Sequence, residues 1–393
     1  MELRSVLSVI TLACASVAVN AKKSKILGTE DLIENHGHRH FSRHTIPTDD
    51  RYLIDMFRIK GHGGPPFLLL HALMGASDQW FLRDRQHDLR NYYNFQINSG
   101  YDVWLGDFRG NIYSRKHESL NVSSAEYWKF SIDEWIYYDL PAMIDYVCKE
   151  SGYDKIYIVT YSLSSAVFFS TVALRPEYNE KVIVSYHLAP FVAFSNVKSV
   201  LLRLGIQFGP QYLTVARGLN IHELFPRNER EVEMYSSLCS KNSTFLKSCT
   251  AIVSDFFGLD TSGNSTKDLD FKLAYSRAGV SLNSIDHLLQ MLRTKKMQHY
   301  DLGFFRNWKT YGQYRPPEYD LRKVTSPSVL FHSYNDRIVD KRTIDKLAVL
   351  LPNVHQTFNI KDRHFGHVDY AFNKKAKHLV FDNIIENAKQ FRS

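Results

Sequence analysis

Long apolar runs are missing: beyond residue 19 no stretch approaches the ~18 apolar residues that a membrane-spanning helix requires, so no transmembrane segment is expected. Internal repeats and low-complexity tracts are missing too, which sets aside repeat architectures. Acids are the scarcer charge, with 41 Asp and Glu against 49 Lys and Arg and a formal net charge of +8. That excess is spread along the chain and forms no long basic tract, so nucleic-acid binding is not expected. Cysteine is sparse, at four in 393 residues. What is present is ordinary globular material: 44% apolar and 23% charged residues argue against disorder, and the length suits one large domain with an insertion, or two domains. Aromatics are plentiful, 25 Phe and 23 Tyr, which fits a wide apolar pocket as well as a common core.

The first residues read as a secretory signal over residues 1–21: Arg4 gives a basic start, residues 6–19 a short apolar run, and Val19-Asn20-Ala21 small residues before a cut. Cys14 would leave with it. Cys239 and Cys249 are near enough to close a small loop that an oxidising compartment would preserve. Cys148 is left over and reads as a buried free thiol. Sequons at Asn121, Asn242 and Asn264 fit the same secretory route, predicting a glycosylated protein that is extracellular or lysosomal.

Residues 22–45 are basic and rich in histidine (His36, His38, His40, His44), but the spacing matches no standard ligand pattern. A solvated segment and no metal are expected there. Residues 52–59 alternate like a strand. Residues 67–71 form a continuous apolar run, as in a strand buried on both faces of a parallel sheet, and open into a loop at 72–77. Loops at such strand ends are where ligands bind in open α/β sheets. Strands are also expected at 101–105, 155–161, 182–187, 328–332 and 354–358, with a helix over 133–146. The alternation predicts an α/β fold: a mostly parallel sheet flanked by helices. From 191 to 310 it gives way to helix-like segments, read as an inserted cap or lid. The expected divisions are therefore a signal (1–21), a first core part (22–190), the cap (191–310) and a C-terminal core part (311–393).

Ser162 stands where the strand at 155–161 turns directly into a helical segment, with no glycine or proline at the corner. That is how a nucleophile elbow lifts a hydroxyl above a sheet; a serine merely capping a buried strand–helix junction is an equal reading of this stretch alone. A serine needs a base, and the base needs an acid to hold its tautomer. Asp336 follows the strand at 328–332, and His367 follows the last strand, giving the order Ser, Asp, His. Asp340, His364 and His332 are read as surface or packing residues.

Taken together, His71-Ala72-Leu73-Met74-Gly75-Ala76-Ser77-Asp78-Gln79-Trp80, Tyr101 to Gly106 with Arg109-Gly110-Asn111 and Ser114-Arg115, Asp139-Leu140-Pro141-Ala142, Leu188-Ala189-Pro190 and Gln298-His299-Tyr300 resemble the acid lipases, the gastric and lysosomal group of the α/β-hydrolases with their insect relatives. The likeness runs from about Asp31 to the C-terminus. It implies an α/β-hydrolase fold with a helical cap, Ser162 as nucleophile, Asp336 as orienting acid, His367 as base, and an oxyanion hole made by the backbone N–H groups of Leu73 and Leu163. It also implies a disulfide between Cys239 and Cys249. Nothing in the sequence suggests a metal or an organic cofactor. The partners the resemblance implies are a neutral lipid substrate and a lipid–water interface such as a droplet or micelle.

The family elbow G-H-S-Q-G reads Thr160-Tyr161-Ser162-Leu163-Ser164 here, and Ala72 stands where a glycine precedes the first oxyanion donor. Strained elbow positions cost on the order of 1–3 kcal/mol each. Two functions are therefore expected to compete: a secreted or lysosomal serine lipase or esterase hydrolysing triacylglycerol or sterol ester, and a catalytically impaired, lipase-like lipid-binding protein.

Overall fold

The computed structural model describes residues 26–61, 64–82, 100–259 and 268–391. The expected signal over residues 1–21 and the sequon at Asn264 lie outside them. The central sheet is built from β1 (Phe41–Pro47), β2 (Tyr52–Ile59), β3 (Phe67–Leu70), β4 (Val103–Gly106), β5 (Ile156–Tyr161), β6 (Val182–Leu188), β7 (Ser328–Ser333) and β8 (Val354–Ile360), in the order β1-β2-β4-β3-β5-β6-β7-β8. β1 and β2 are antiparallel to each other, β2 is antiparallel to β4, the other pairs along this order are parallel, and a two-residue strand at Lys116–His117 also pairs antiparallel with β2. The sheet puts β3 and β5 side by side at its centre.

The two-residue period of a strand divides these apolar runs between two cores. Leu68, Leu70, Ile156 and Ile158 face one core, shared with α2 (Leu140–Ser151) and α3 (Leu163–Leu174). Phe67, Leu69, Tyr157, Val159 and Tyr161 face the other, where the C-terminal helix (Asp382–Lys389) contributes Ile384 and Ala388. A strand buried on both faces needs an apolar residue at every position, which is why these segments read as unbroken runs.

The described residues between 200 and 294 are mostly helical: α4 (Val200–Gly218), α5 (Glu229–Leu238), α6 (Leu246–Phe257), α7 (Leu269–Tyr275) and α8 (Leu282–Thr294). A disulfide joins Cys239, just past α5, to Cys249 within α6. Next come α9 (Phe304–Tyr311) and, beyond β7, α10 (Lys341–Leu350). Among the described residues no helix is long and apolar enough to cross a membrane.

The histidine-rich segment corrects the sequence expectation. Within residues 22–45 a short helix, α1, forms at Thr29–Asn35, and β1 pairs along its whole length with β2. His44 packs 4.8 Å from the Trp104 ring and hydrogen-bonds the Tyr146 hydroxyl at 2.9 Å; Arg43 Nε donates to Asp55 at 2.9 Å. A terminal strand whose partners are polar lacks apolar alternation, so periodicity does not reveal it. Cys148 is half-buried rather than buried, and desolvation pushes its thiol pKa up, which suits an unreactive thiol. Asn121 and Asn242 are exposed.

Candidate active site

At the junction of β5 and α3, Ser162 has φ 58° and ψ −117°, a backbone conformation that L-residues rarely adopt. The corner is sharp enough to place the hydroxyl beyond the strand end while the Leu163 N–H, first in the helix, has no intrahelical partner. The Ser162 N–H donates to Leu188 O at 2.9 Å, and Ser162 O accepts from the Phe191 N–H at 3.2 Å, so β6 and its following loop clamp the turn.

His367 Nε2 lies 2.9 Å from Ser162 Oγ, and His367 Nδ1 lies 2.8 Å from Asp336 Oδ2. The other Asp336 oxygen accepts the Ile338 and Val339 N–H groups, both at 2.8 Å. With its Nδ1–H given to the carboxylate, His367 presents Nε2 as the acceptor for the serine proton. All three side chains are buried. The loop carrying His367 is held by two bonds the sequence did not suggest: the Tyr161 hydroxyl donates to His367 O at 2.6 Å, and the His367 N–H donates to Phe257 O at 2.7 Å. A Cβ on Gly366 would fall 2.1 Å from Gly258 O, so only glycine fits this close approach.

The residues replacing the elbow glycines are hydrogen-bonded in full. Ser164 Oγ accepts from the Tyr161 N–H at 2.8 Å and lies 3.1 Å from Leu70 O, the last residue of β3. Thr160 Oγ1 lies 2.7 Å from Ser165 Oγ and 2.8 Å from His187 Nδ1, while His187 Nε2 lies 2.9 Å from Ser185 Oγ, which donates to Pro327 O at 3.2 Å. The chain is satisfied in one direction: Ser165 to Thr160, Thr160 to His187, His187 to Ser185, Ser185 to the Pro327 carbonyl. Burial holds the His187 pKa down to about 3, so the ring is neutral and keeps one donor and one acceptor nitrogen. Thr160 and Ser164 therefore brace the elbow with hydroxyls where glycines would let it pack by closeness.

The loop after β3 completes the site. Ala72 O accepts from the Gly75 N–H at 2.9 Å and from His71 Nδ1 at 2.8 Å, and the Ala72 N–H donates to Gln79 Oε1 at 3.2 Å. Ala72 does not adopt a positive φ, so its methyl group imposes no backbone strain; Met74, at φ 60°, takes the left-handed position of this loop. Among the described residues the Leu73 N–H has no hydrogen-bond partner. A cavity of about 190 Å³ opens beside Ser162 and His367, with Leu73, Leu163, Leu202, Phe256, Phe257 and Leu288 in its lining. Helices α4, α6 and α8 thus form the apolar wall facing Ser162. Among the described residues no cluster of three or more His, Cys, Asp or Glu could hold a metal ion.

Asp340 caps α10 through the Thr343 N–H at 3.0 Å, and His332 is buried within β7. His364 is exposed. None of the three reaches Ser162.

The family model of the alpha/beta hydrolase fold matches residues 65–374, and a partial alpha/beta-hydrolase lipase region matches residues 29–84. The chain belongs to the alpha/beta-hydrolase fold family. This alpha/beta-hydrolase is 29% identical to Lipase 3 of Drosophila melanogaster, with 99% of each chain covered. It is 28% identical to human gastric triacylglycerol lipase over 86% of its own length and 85% of that protein's, which places it in the acid-lipase-like group. In fold it is similar to a putative lipase from Sulfolobus solfataricus, at TM-score 0.57 and 13% identity, with 90% of this chain and 94% of that chain covered. What sequence reasoning missed in this alpha/beta-hydrolase is the brace formed by Thr160, Ser165 and His187 and the Tyr161 hydroxyl. The available signal was a cluster of hydroxyls at 160, 164 and 165 beside a lone histidine in an apolar strand.

Proposed function

We propose that this protein is a serine carboxylic ester hydrolase, a lipase that cleaves neutral lipid esters (triacylglycerol or sterol ester) at a lipid–water interface, and that it acts outside the cell or in the lysosome. One observation carries this reading: Ser162 Oγ, His367 Nε2, His367 Nδ1 and Asp336 Oδ2 are linked in series at 2.9 and 2.8 Å. Ser162 Oγ attacks the acyl carbonyl as His367 takes its proton, and Asp336 stabilises the imidazolium that results. The Leu73 and Leu163 N–H groups receive the oxyanion, a contribution of about 10²–10³ in rate for each donor. His367 then hands the proton to the departing alcohol, leaving an acyl-Ser162 intermediate. Water activated by the same ring attacks this ester, and collapse returns the proton to Ser162.

The apolar lining from α4, α6 and α8 supports an acyl chain as the group bound, with residues 191–310 acting as the cap. On the outward side of α4, Phe208, Tyr212, Val215 and Leu219 are exposed at helical spacing, which supports contact with a lipid phase. The names of the relatives, Lipase 3 and gastric triacylglycerol lipase among them, support the same substrate class. Sequons at Asn121 and Asn242 on exposed positions and the Cys239–Cys249 disulfide support the secretory route.

The test is turnover of a triolein emulsion, a cholesteryl ester emulsion and a soluble short-chain ester by the mature protein and by Ser162→Ala. Hydrolysis of at least one long-chain ester by the mature protein, lost in Ser162→Ala, is expected. Equal rates for the two proteins would overturn the reading.

A further inference from the structure

Helix α9 carries an exposed aromatic platform that neither the cavity nor the catalytic residues use. Tyr314 stacks on Phe304 with ring centres 4.1 Å apart and on Trp308 at 5.0 Å, with interplanar angles of 14° and 21°. Phe305 stands beside them at 82% exposure. Rings already stacked on one another lose little conformational freedom when a partner covers them. A platform this apolar on a protein surface is a recognition feature.

Around it, among the described residues, cations without an ion-pair partner outnumber acids without one, three to one. Arg306, Lys309 and Arg315 are exposed, and among the described residues none of them pairs with a carboxylate. The acids of the same segment are already engaged. Asp301 accepts from the Gly303 N–H at 2.9 Å and from Asn307 Nδ2 at 2.8 Å; Glu318 pairs with Lys296, and Asp320 with Arg322. Exposed aromatic rings ringed by uncompensated cations match the boundary of an anionic bilayer, where rings sit among headgroups and cations meet phosphate and carboxylate.

We propose that α9 with Tyr314 is a docking surface for an anionic phospholipid bilayer, on which Phe304, Phe305 and Trp308 enter the headgroup region and Arg306, Lys309 and Arg315 contact the anionic lipids. The platform lies on a different helix from the exposed α4 stripe invoked above for the neutral lipid, and its action does not require ester hydrolysis.

The protein supplies its own reporter. Of five tryptophans, Trp80, Trp104, Trp128 and Trp135 are buried and Trp308 is exposed. The experiment measures flotation of the mature protein with vesicles of phosphatidylcholine alone and of phosphatidylcholine with phosphatidylserine, and quenching of tryptophan fluorescence by brominated phosphatidylcholine in the mixed vesicles. Binding to the mixed vesicles that weakens with salt, accompanied by quenching, is expected. Each cation removed should weaken partitioning about fivefold, so the triple variant Arg306→Gln, Lys309→Gln, Arg315→Gln should lose roughly two orders of magnitude. Phe304→Ser with Phe305→Ser should also lose binding, and thermal melts like the parent's show that both variants fold. Equal partitioning to neutral and anionic vesicles, or binding unchanged in folded variants, would overturn the proposal. Self-association that Phe305→Ser abolishes, in the absence of vesicle binding, would instead make the patch an interface between copies and overturn it too. Vesicle binding by a protein that turns over no ester would remove the lipase reading and leave this one standing.

Discussion

Thr160 shows how one side chain changes the support of the turn that carries Ser162. Its hydroxyl sits between Ser165 and His187, and both partners are buried. Thr160→Val keeps the shape and removes the hydroxyl, leaving two buried polar atoms without a partner. A loss of about 1–3 kcal/mol in stability is expected from urea unfolding. A displacement of about 1 Å at the serine costs roughly a hundredfold, so kcat on a soluble ester should fall 10- to 100-fold while KM changes little. Thr160→Ser should recover most of both; an unchanged kcat in Thr160→Val would show that the brace does not position Ser162. Asp336→Asn retains the size of the side chain but presents a donor to His367 Nδ1, and a fall of about 10⁴ in kcat is expected from steady-state kinetics. The grouping of Ser162, Asp336 and His367, which the structure brings within hydrogen-bond distance of one another, could be read from the sequence because they come in a fixed chain order after apolar strands. The brace was not legible, because His187 meets Thr160 only through the register of β6 on β5.

At the scale of elements, strand ends and the loops after them decide the site. β3 and β5 were readable as unbroken apolar runs, whereas β1 escaped notice because its polar positions bond to Asp55 and Tyr146 rather than repeating a pattern. The loop after β3 is tied to the loop after β4 by the Ser77 N–H, which donates to Asp107 Oδ1 at 2.8 Å. Asn111 Nδ2 donates to the same oxygen at 2.6 Å, and Oδ2 is buried without a hydrogen-bond partner. Burial raises the Asp107 pKa from 3.8 to about 7. A carboxyl whose folded pKa lies above its unfolded value keeps its proton in the native state after the unfolded chain has lost it. Its effect on stability is therefore neutral below pH ~4 and turns increasingly unfavourable as pH rises towards 7. Asp107→Asn removes this titration. The variant should gain on the parent in thermal melts as the pH rises from 4 to 8, and a difference that stays flat with pH would contradict the assignment. The loop after β8 is fixed differently, by backbone packed on backbone at Gly366. Gly366→Ala should shift His367 and cut kcat by about 10²-fold without altering the apolar cavity, read as a fall in kcat at nearly constant KM.

Across the whole molecule, the helical segment and the sheet are joined through buried charge as well as apolar contact. Arg227 Nε donates to Arg277 O at 2.8 Å and Nη2 to Asp78 Oδ1 at 3.2 Å, with both charged side chains fully buried. Asp78 lies at the start of the helical turn that ends the loop after β3, and the Ala278 N–H donates to Met74 O at 2.7 Å in the same loop. Arg227→Met removes the cation opposite Asp78 and leaves it the Tyr113 hydroxyl at 2.9 Å, and a loss of about 3–5 kcal/mol is expected in urea unfolding, partly restored by adding Asp78→Asn. A loss below 1 kcal/mol would mean the pair is not what holds these parts together. The division into strand-rich ends and a helical middle was visible in the sequence because periodicity changes where strands stop. Which helix faces Ser162 was not visible, because Leu202, Phe257 and Leu288 come from three separate helices that meet only in the folded chain.

Whether an elbow without its glycines still carries a nucleophilic serine is measured directly by a fluorophosphonate followed by peptide mass analysis. A single phosphonyl adduct is expected on the peptide containing Ser162, absent from Ser162→Ala and much slower to form in His367→Gln. An unlabelled Ser162 in folded protein, or an adduct on another residue, would contradict the proposed role of Ser162.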